Sequence, residues 1–333
     1  MDDLESTLLQ YKDTIAKTAV TNASYTFSPA TRSIFNPENL DPVVKLMVPT
    51  DTPIRALLSR SQGYGQAAAW KKLTSQLSVN PINSGGPVGT GVSGFFADGS
   101  TPNQTTQTFV VATAAYKNIG RDVEVGRQAI ASSRGYQDIR DEMVRIKTLE
   151  VMLAEEDANI NGDSVADGNA YDGMIKTLVT NSGTLSLLTA SGIGSQVQSV
   201  YWNYGGNPDV LACNPRQVRA LADDLQGSGS IQRIVVDDKG AATGGVALAK
   251  VVNPITGTLI NVATSRYIGT WALLLDSASD AGEPWLEVED LESMSVYEPP
   301  TSNHSVISRV YETSVLKVIG EVFQVKIGGL ATV

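Results

Sequence analysis

The chain has 333 residues, of which 42% are hydrophobic and 18% charged, and its 35 acidic against 25 basic residues leave a net charge of −10. Ordinary apolar content at that charge density excludes a disordered chain, and the acidic balance excludes the basic footprint of a protein that grips nucleic acid. One cysteine and one histidine leave no disulfide framework and no zinc finger, and no apolar run approaches the roughly 18 residues of a membrane span.

The first residues, Met1-Asp2-Asp3-Leu4-Glu5, are acidic where a signal peptide would be basic, so no export by that route is expected. Leu4, Leu8, Tyr11 and Ile15 recur at steps of three and four and predict a short amphipathic helix over 3–20. Prolines at 29, 37, 42, 49 and 53 then allow no long regular element. An extended arm is expected, whose Val43, Val44, Leu46, Met47 and Val48 need another surface to bury them. Strand-like flanks at 67–77 and 106–111 bracket a run rich in Gly, Pro, Ser and Asn. A structureless loop of that length is improbable unless functional. As a two-stranded finger it would reach roughly 50 Å at about 3.3 Å per residue. Such a hairpin is marginal alone, and its open edges invite a neighbouring chain.

A long helix is predicted over 136–161, with a stripe of Ile139, Met143, Ile146, Leu149, Leu153 and Ala154, an Asp141–Arg145 pair, and Gly162 as a left-handed stop. Strand-like and turn segments follow, including Asp172-Gly173-Met174-Ile175. From 190 to 300 the pattern becomes α/β. A helical stretch at 196–202 leads to a buried strand over 209–213, then a helix with Asn214 as N-cap, Pro215 in first position and Gly227 as stop. Strands are expected at 231–236, 259–262 and 271–275, and the region from Trp285 onward is β-rich.

Chemistry finds no obvious home in these residues. Gly63-Tyr64-Gly65-Gln66-Ala67-Ala68 spells a dinucleotide fingerprint, but it follows a helix-like stretch at 54–61 instead of a strand and reads as a hinge. Asp157, Asn159, Asn161 and Gly162 match positions of a calcium loop. The twelfth position, which needs a bidentate Glu, is Gly168, so a polar helix end fits better. Glu287 and Glu289 share one strand face and could in principle act as a carboxylate pair. Their alternation with Leu286 and Val288 predicts a solvated face instead. Cys213 is expected as a buried small hydrophobe, and His304 as an exposed loop residue with no nucleophile partner. No catalytic, cofactor-binding or metal-binding residue is assigned, and no enzyme activity is expected.

The order of parts resembles the tailed-bacteriophage major capsid proteins of the Hong Kong 97 fold. The resemblance is carried by Pro49-Thr50-Asp51-Thr52-Pro53-Ile54 with Leu57, by Glu155, Glu156, Asn161 and Gly162 followed by 172–175, by the strand-Asn-Pro-helix passage 210–217, and by Tyr311-Glu312-Thr313 with the tail 318–330. It implies an α+β fold: an N-terminal arm (1–62), an extended β-hairpin loop (63–111), a peripheral domain with a spine helix (112–195), an α/β axial domain (196–300) and return strands of the peripheral domain (301–333). It implies a structural subunit forming hexamers and pentamers of an icosahedral head that encloses double-stranded DNA, assembled in the host cytoplasm. The implied partners are further copies of itself, a portal protein, a decoration protein as an optional addition, and packaged DNA touched non-specifically, with no membrane and no cofactor. The stretch before the finger is too short for a fused scaffolding domain of roughly small-domain size, so a separate scaffolding protein is expected. Some relatives crosslink through a Lys–Asn bond. Lys71 and Lys72 lie near the finger's base, but no Asn or Glu matches that motif and the crosslink is not carried over. An encapsulin-like nanocompartment shell is the alternative, and a soluble hydrolase or calcium-binding module the remote one.

Overall fold

The computed structural model describes residues 51–73, 97–101, 109–133, 138–227, 250–277, 284–300 and 304–331, with 235–236, 242–243, 248 and 282. The expected helix at 3–20, the arm up to residue 50, the glycine-rich centre of the finger and the first half of the strand at 231–236 lie outside the described residues.

In chain order the elements are helix α1 (Pro53–Leu57), strands β1 (Ser59–Gln62), β2 (Ala67–Leu73), β3 (Phe109–Ala115) and β4 (Lys117–Gly126), and helices α2 (Arg127–Ser133), α3 (Ile139–Asn161) and α4 (Met174–Thr177). Strand β5 (Ser182–Thr184), helix α5 (Ala190–Tyr204), strand β6 (Val210–Cys213) and helix α6 (Pro215–Gly227) follow. Short strands β7 (Val235–Val236), β8 (Ala242–Thr243) and β9 (Lys250–Val252) precede β10 (Leu259–Thr264) and β11 (Ala272–Leu275). The chain returns through β12 (Leu286–Tyr297), β13 (Ser305–Val318), a 3-10 turn at Glu321–Phe323 and β14 (Val325–Gly328).

A six-stranded sheet runs in the order β5-β14-β11-β6-β10-β9. Its central strands are apolar at every position, as strands covered on both faces must be. Val210, Ala212, Leu273 and Leu275 face one cluster, completed by Ile54 of α1, Ile160 of α3, Met174 of α4 and Val288 of β12. Leu211, Cys213, Ala272 and Leu274 face the other, against Val197 and Val200 of α5 and Leu221 of α6. Asn214 caps α6 by accepting from Arg216 N at 3.0 Å and ties the cap down by donating to the Ile268 carbonyl at 2.7 Å.

A four-stranded sheet in the order β1-β12-β13-β4 forms the second layer. Strand β13 pairs with β4 from Ser305↔Gly126 to Ser314↔Lys117, and with β12 through a register broken after Asp290 and again after Glu292. Strand β1 adds in parallel at the edge, Ser59 beside Glu287, where the sequence pattern had suggested only helix: α1 stops at Leu57 because the next residues pair with β12.

Helix α3 runs about 34 Å at 1.5 Å per residue. Asp138 caps it by accepting from the Arg140 and Asp141 amides at 3.0 and 3.3 Å. Three expectations for this helix are corrected. Its wholly enclosed residues are Val151, Glu155, Glu156, Asn159 and Ile160, whereas Met143 of the apolar stripe is 43% exposed. The C-terminal half is what packs on α1 and β13, and it carries polar groups inward. Arg145 pairs with Glu142 at 3.1 Å instead of with Asp141, because the Asp side chain is one methylene shorter. Gly162 ends the helix at φ −49°, not left-handed. Glycine is required there by close approach: a Cβ would lie 2.4 Å from the Tyr171 carbonyl oxygen and 2.5 Å from that of Ala158.

The finger's base is a two-stranded ribbon, Ala67 paired with Ala115 through Leu73 with Phe109. Its second strand therefore runs to Ala115, beyond the expected 111. Gly65 at φ +81° supplies the turn that enters it, and Trp70 anchors it by donating to the Val318 carbonyl at 3.2 Å.

Candidate functional site

The residues singled out from the sequence are not gathered into one place. Gly63–Ala68 links β1 to β2 as a turn. Asp157, Asn159 and Asn161 belong to the last turns of α3, with Asn159 turned inward, away from the other two. Asn161 donates to Asp157 at 2.7 Å and to the Tyr267 carbonyl, Asn159 is buried and accepts from the Tyr171 hydroxyl at 2.8 Å, and Asp163 pairs with Lys176. Among the described residues no three His, Cys, Asp or Glu side chains are arranged to hold a metal ion. Cys213 is fully buried, and burial pushes its thiol up to about 12. His304 is exposed. Lys72 lies 3.8 Å from Glu321 and over the Trp70 ring.

Glu287 and Glu289 are corrected. They are not solvated: Lys317 lies between them, 3.4 Å from Glu287 and 2.8 Å from Glu289, and Tyr116 also donates to Glu289. Burial raises the Glu289 carboxyl, but the Lys317 and Tyr116 hydrogen bonds outweigh it and hold the group below its ordinary value. A carboxylate so compensated is the opposite of the raised general acid that glycoside hydrolysis needs.

What sequence reasoning missed is an ionic junction beneath α3. The adjacent Glu155 and Glu156 are both fully buried. Glu156 accepts from the Ile54 and Arg55 amides at 3.2 and 2.6 Å, so it caps α1 from another helix. Glu155 accepts from the side chains of both Arg55 and Arg60, and Arg60 also reaches Asp290 at 2.9 Å. Glu312 of β13 projects into the same space against Glu155, fully buried, and no donor reaches either of its oxygens. Burial, and then the neighbouring Glu155 charge, push the Glu312 carboxyl up to about 8. Burial also raises Glu156 and Asp290, though hydrogen bonds to each oppose it. The signal was present: two consecutive glutamates in a helix, and Glu312 at an inward strand position between Val310 and Ser314. It had no meaning without the partners from 54–60.

The outer surface carries apolar groups in several places. Val110 and Val111 stand on the ribbon, Val252, Ile255 and Leu259 at the β9–β10 edge, and Val296 and Tyr297 at the end of β12. An open hollow of about 690 Å³ lies over β4, β13 and β12, lined in part by Arg121, Asp122, Tyr297, Arg309 and Tyr311. Among the described residues, none of these places gathers an array of convergent reactive groups.

No curated protein matches the chain in sequence. Among solved structures, the chain is similar to the SrpI encapsulin of Synechococcus elongatus PCC 7942, with 10% identity, a TM-score of 0.61 and coverage of 90% of this chain and 96% of that one. It is similar to the Gordonia phage Cozz structure, with 14% identity, a TM-score of 0.56 and coverage of 93% and 98%. It is also similar to a structure of the phage G gp27 major capsid and gp26 decoration proteins, with 9% identity, a TM-score of 0.55 and coverage of 90% and 99%. At such identities these likenesses show the fold, the Hong Kong 97-type capsid fold, which phage heads and encapsulins share. The family is decided by sequence: the SU10 major capsid protein model matches residues 19–318. With spine helix, ribbon and every strand of both sheets except β14 inside that match, the chain belongs to the SU10 major capsid protein family.

Proposed function

We propose that copies of this chain assemble as hexamers and pentamers of an icosahedral phage head enclosing double-stranded DNA. The coarser statement rests on the family: the protein is a structural subunit of the virion capsid, and its copies form the shell. The observation that carries the finer reading is the β2–β3 ribbon, whose exposed Val110 and Val111 have no cover among the described residues; a neighbouring subunit would bury them. Replacing 79–103 with a short Gly/Ser turn should leave a folded subunit and abolish particles, seen by electron microscopy. Shells of normal size from that variant would refute the role given to the ribbon.

On this reading the arm is 1–62, the extended loop 63–111, the peripheral domain 112–195 with the return strands 301–333, and the axial domain 196–300. The pairing of β12 with β13 favours grouping 286–300 with the peripheral sheet. A portal protein and a separate scaffolding protein complete the assembly, because a curved shell must choose one size among several with similar local contacts. Expressed alone, the chain should give mixed tubes, sheets and odd-sized shells; a uniform population of virion-sized particles would overturn the need for a scaffold. A decoration protein is a further partner, as the phage G structure contains one. The net charge of −10 suits a wall that touches packaged DNA without gripping it. The likeness to an encapsulin favours a cargo-enclosing shell as the second reading, and the nucleic acid or protein content of native particles separates the two.

A further inference from the structure

The junction between α1–β1 and α3 holds more negative groups than it can satisfy. Four carboxyl groups (Glu155, Glu156, Asp290 and Glu312) meet two guanidinium groups, Arg55 from α1 and Arg60 from β1. The donors are unevenly shared. Glu156 takes two backbone amides, Glu155 takes both arginines, and Asp290 takes Arg60. Glu312 takes none, although its whole side chain is enclosed, and the Glu155 charge acts on it. The remaining ionisable group facing the cluster is Tyr171, whose hydroxyl donates to Asn159 instead. β4 places the apolar Ile119 beside Glu312. A carboxylate enclosed by the chain, without a donor and beside further negative charge, does not stay ionised; a proton on Glu312 removes both the burial cost and the repulsion.

We propose that the enclosed Glu312 keeps its proton in the folded chain, and that its release to solvent as the pH rises loosens α1–β1 from α3, making the junction a proton-operated latch. The proposal goes beyond the shell reading and does not depend on it. The lid over the carboxyl groups is the segment itself: Arg55, Arg60 and the two amides bonded to Glu156 all belong to residues 54–60. When that segment lifts, Glu312 meets water and ionises in the ordinary carboxylate range. The closed state therefore holds a proton that the open state has lost. Linkage then sets the size of the effect: between the ordinary range and about 8, the opening equilibrium rises up to about tenfold per pH unit, and above that it levels off.

The test is hydrogen exchange on the full chain, held in one assembly state, reading the amides of 54–62 corrected for intrinsic rates. Protection should fall steeply from pH 5.5 to 7.5 and flatten beyond 8, while the amides of β6 and β11 keep theirs. Glu312→Gln, whose amide has no such proton to release, should flatten the profile, and Glu312→Asp, which keeps a carboxyl, should retain the slope. A flat wild-type profile overturns the proposal whether or not the variants fold, and so does an unchanged slope in a folded Glu312→Gln protein. Infrared spectra of wild-type protein give an independent reading: a protonated-carboxyl band should be present at pH 6 and lost by pH 9. Its absence at pH 6 would equally overturn the latch.

Discussion

Against α5 and α6, the six-stranded sheet buries Leu211, Leu274, Ile260 and Ile327; between α3 and the four-stranded sheet, Glu155, Asn159, Ser308, Glu312 and Ser314 are enclosed beside Val123, Val151 and Val310. The first interface is held by area. Apolar contact has no direction and scales with the surface removed from water, so it tolerates small shifts between helix and sheet. The second is held by address. Glu155 and Glu156 accept from particular atoms of residues 54–60, which sets which turn of α3 lies over α1 and β1. Buried ion pairs contribute little net stability relative to apolar packing but are costly to break, so the two regions should answer differently to substitution, pH and salt.

The largest effect is expected in the apolar region. Leu274→Ala should lower unfolding free energy by about 3.5 kcal/mol, the middle of the range for a fully buried leucine, read as a shift in denaturant midpoint. It should lower the curve equally at every pH. A pH-dependent loss would break the contrast drawn here. In the ionic region, Glu155→Ala should destabilise by about 2 kcal/mol, below the usual 3–5 for a broken buried pair, because Arg55 and Arg60 reach solvent and can rehydrate. Hydrogen exchange should place that loss in residues 54–62 and spare β6 and β11.

Stability against pH sharpens the comparison next. The folded chain holds on Glu312 a proton that the unfolded chain releases in the ordinary carboxylate range, so this contribution is complete at low pH and lost as pH rises to about 8. A melting temperature that climbs over that window, in wild type, would contradict the assignment. The smallest effect belongs to the exposed pair on the outer sheet face. Arg309 meets Asp122 at 2.7 Å and holds that carboxyl below its ordinary value. Arg309→Ala should nevertheless change the melting temperature hardly at all, and any change should vanish at high salt. A shift as large as that of Glu155→Ala would mean the outer face is not freely solvated.

Much of the fold was legible because its signals are local. Alternation and continuous apolar runs marked β6, β11 and β14. Asn214 and Pro215 announced the start of α6, and the breadth of the spacing at 139–160 announced α3. The end of α3 was legible in kind but not in mechanism. Gly162 was recognised as a stop, yet it is glycine because two carbonyl oxygens crowd it, one of them contributed by Tyr171, nine residues downstream. The apolar stripe of α3 misled for a related reason: periodicity says which residues share a face, not which face the sheet will cover.

Residue types and their spacing by themselves determined the elements, the exclusion of zinc-finger and disulfide chemistry, and the order of parts that marks a capsid subunit. Tertiary structure alone decided the partners. Glu287 and Glu289 looked solvated until Lys317, about thirty positions on, was placed between them. Nothing in the sequence joined Glu155 to Glu312, 157 positions apart in the chain, until α3 was laid across β13. The physical reason is range. Helix caps, turns and strand alternation are set by neighbours a few residues away, whereas the state of a carboxyl group depends on burial and on charges brought beside it from anywhere in the chain.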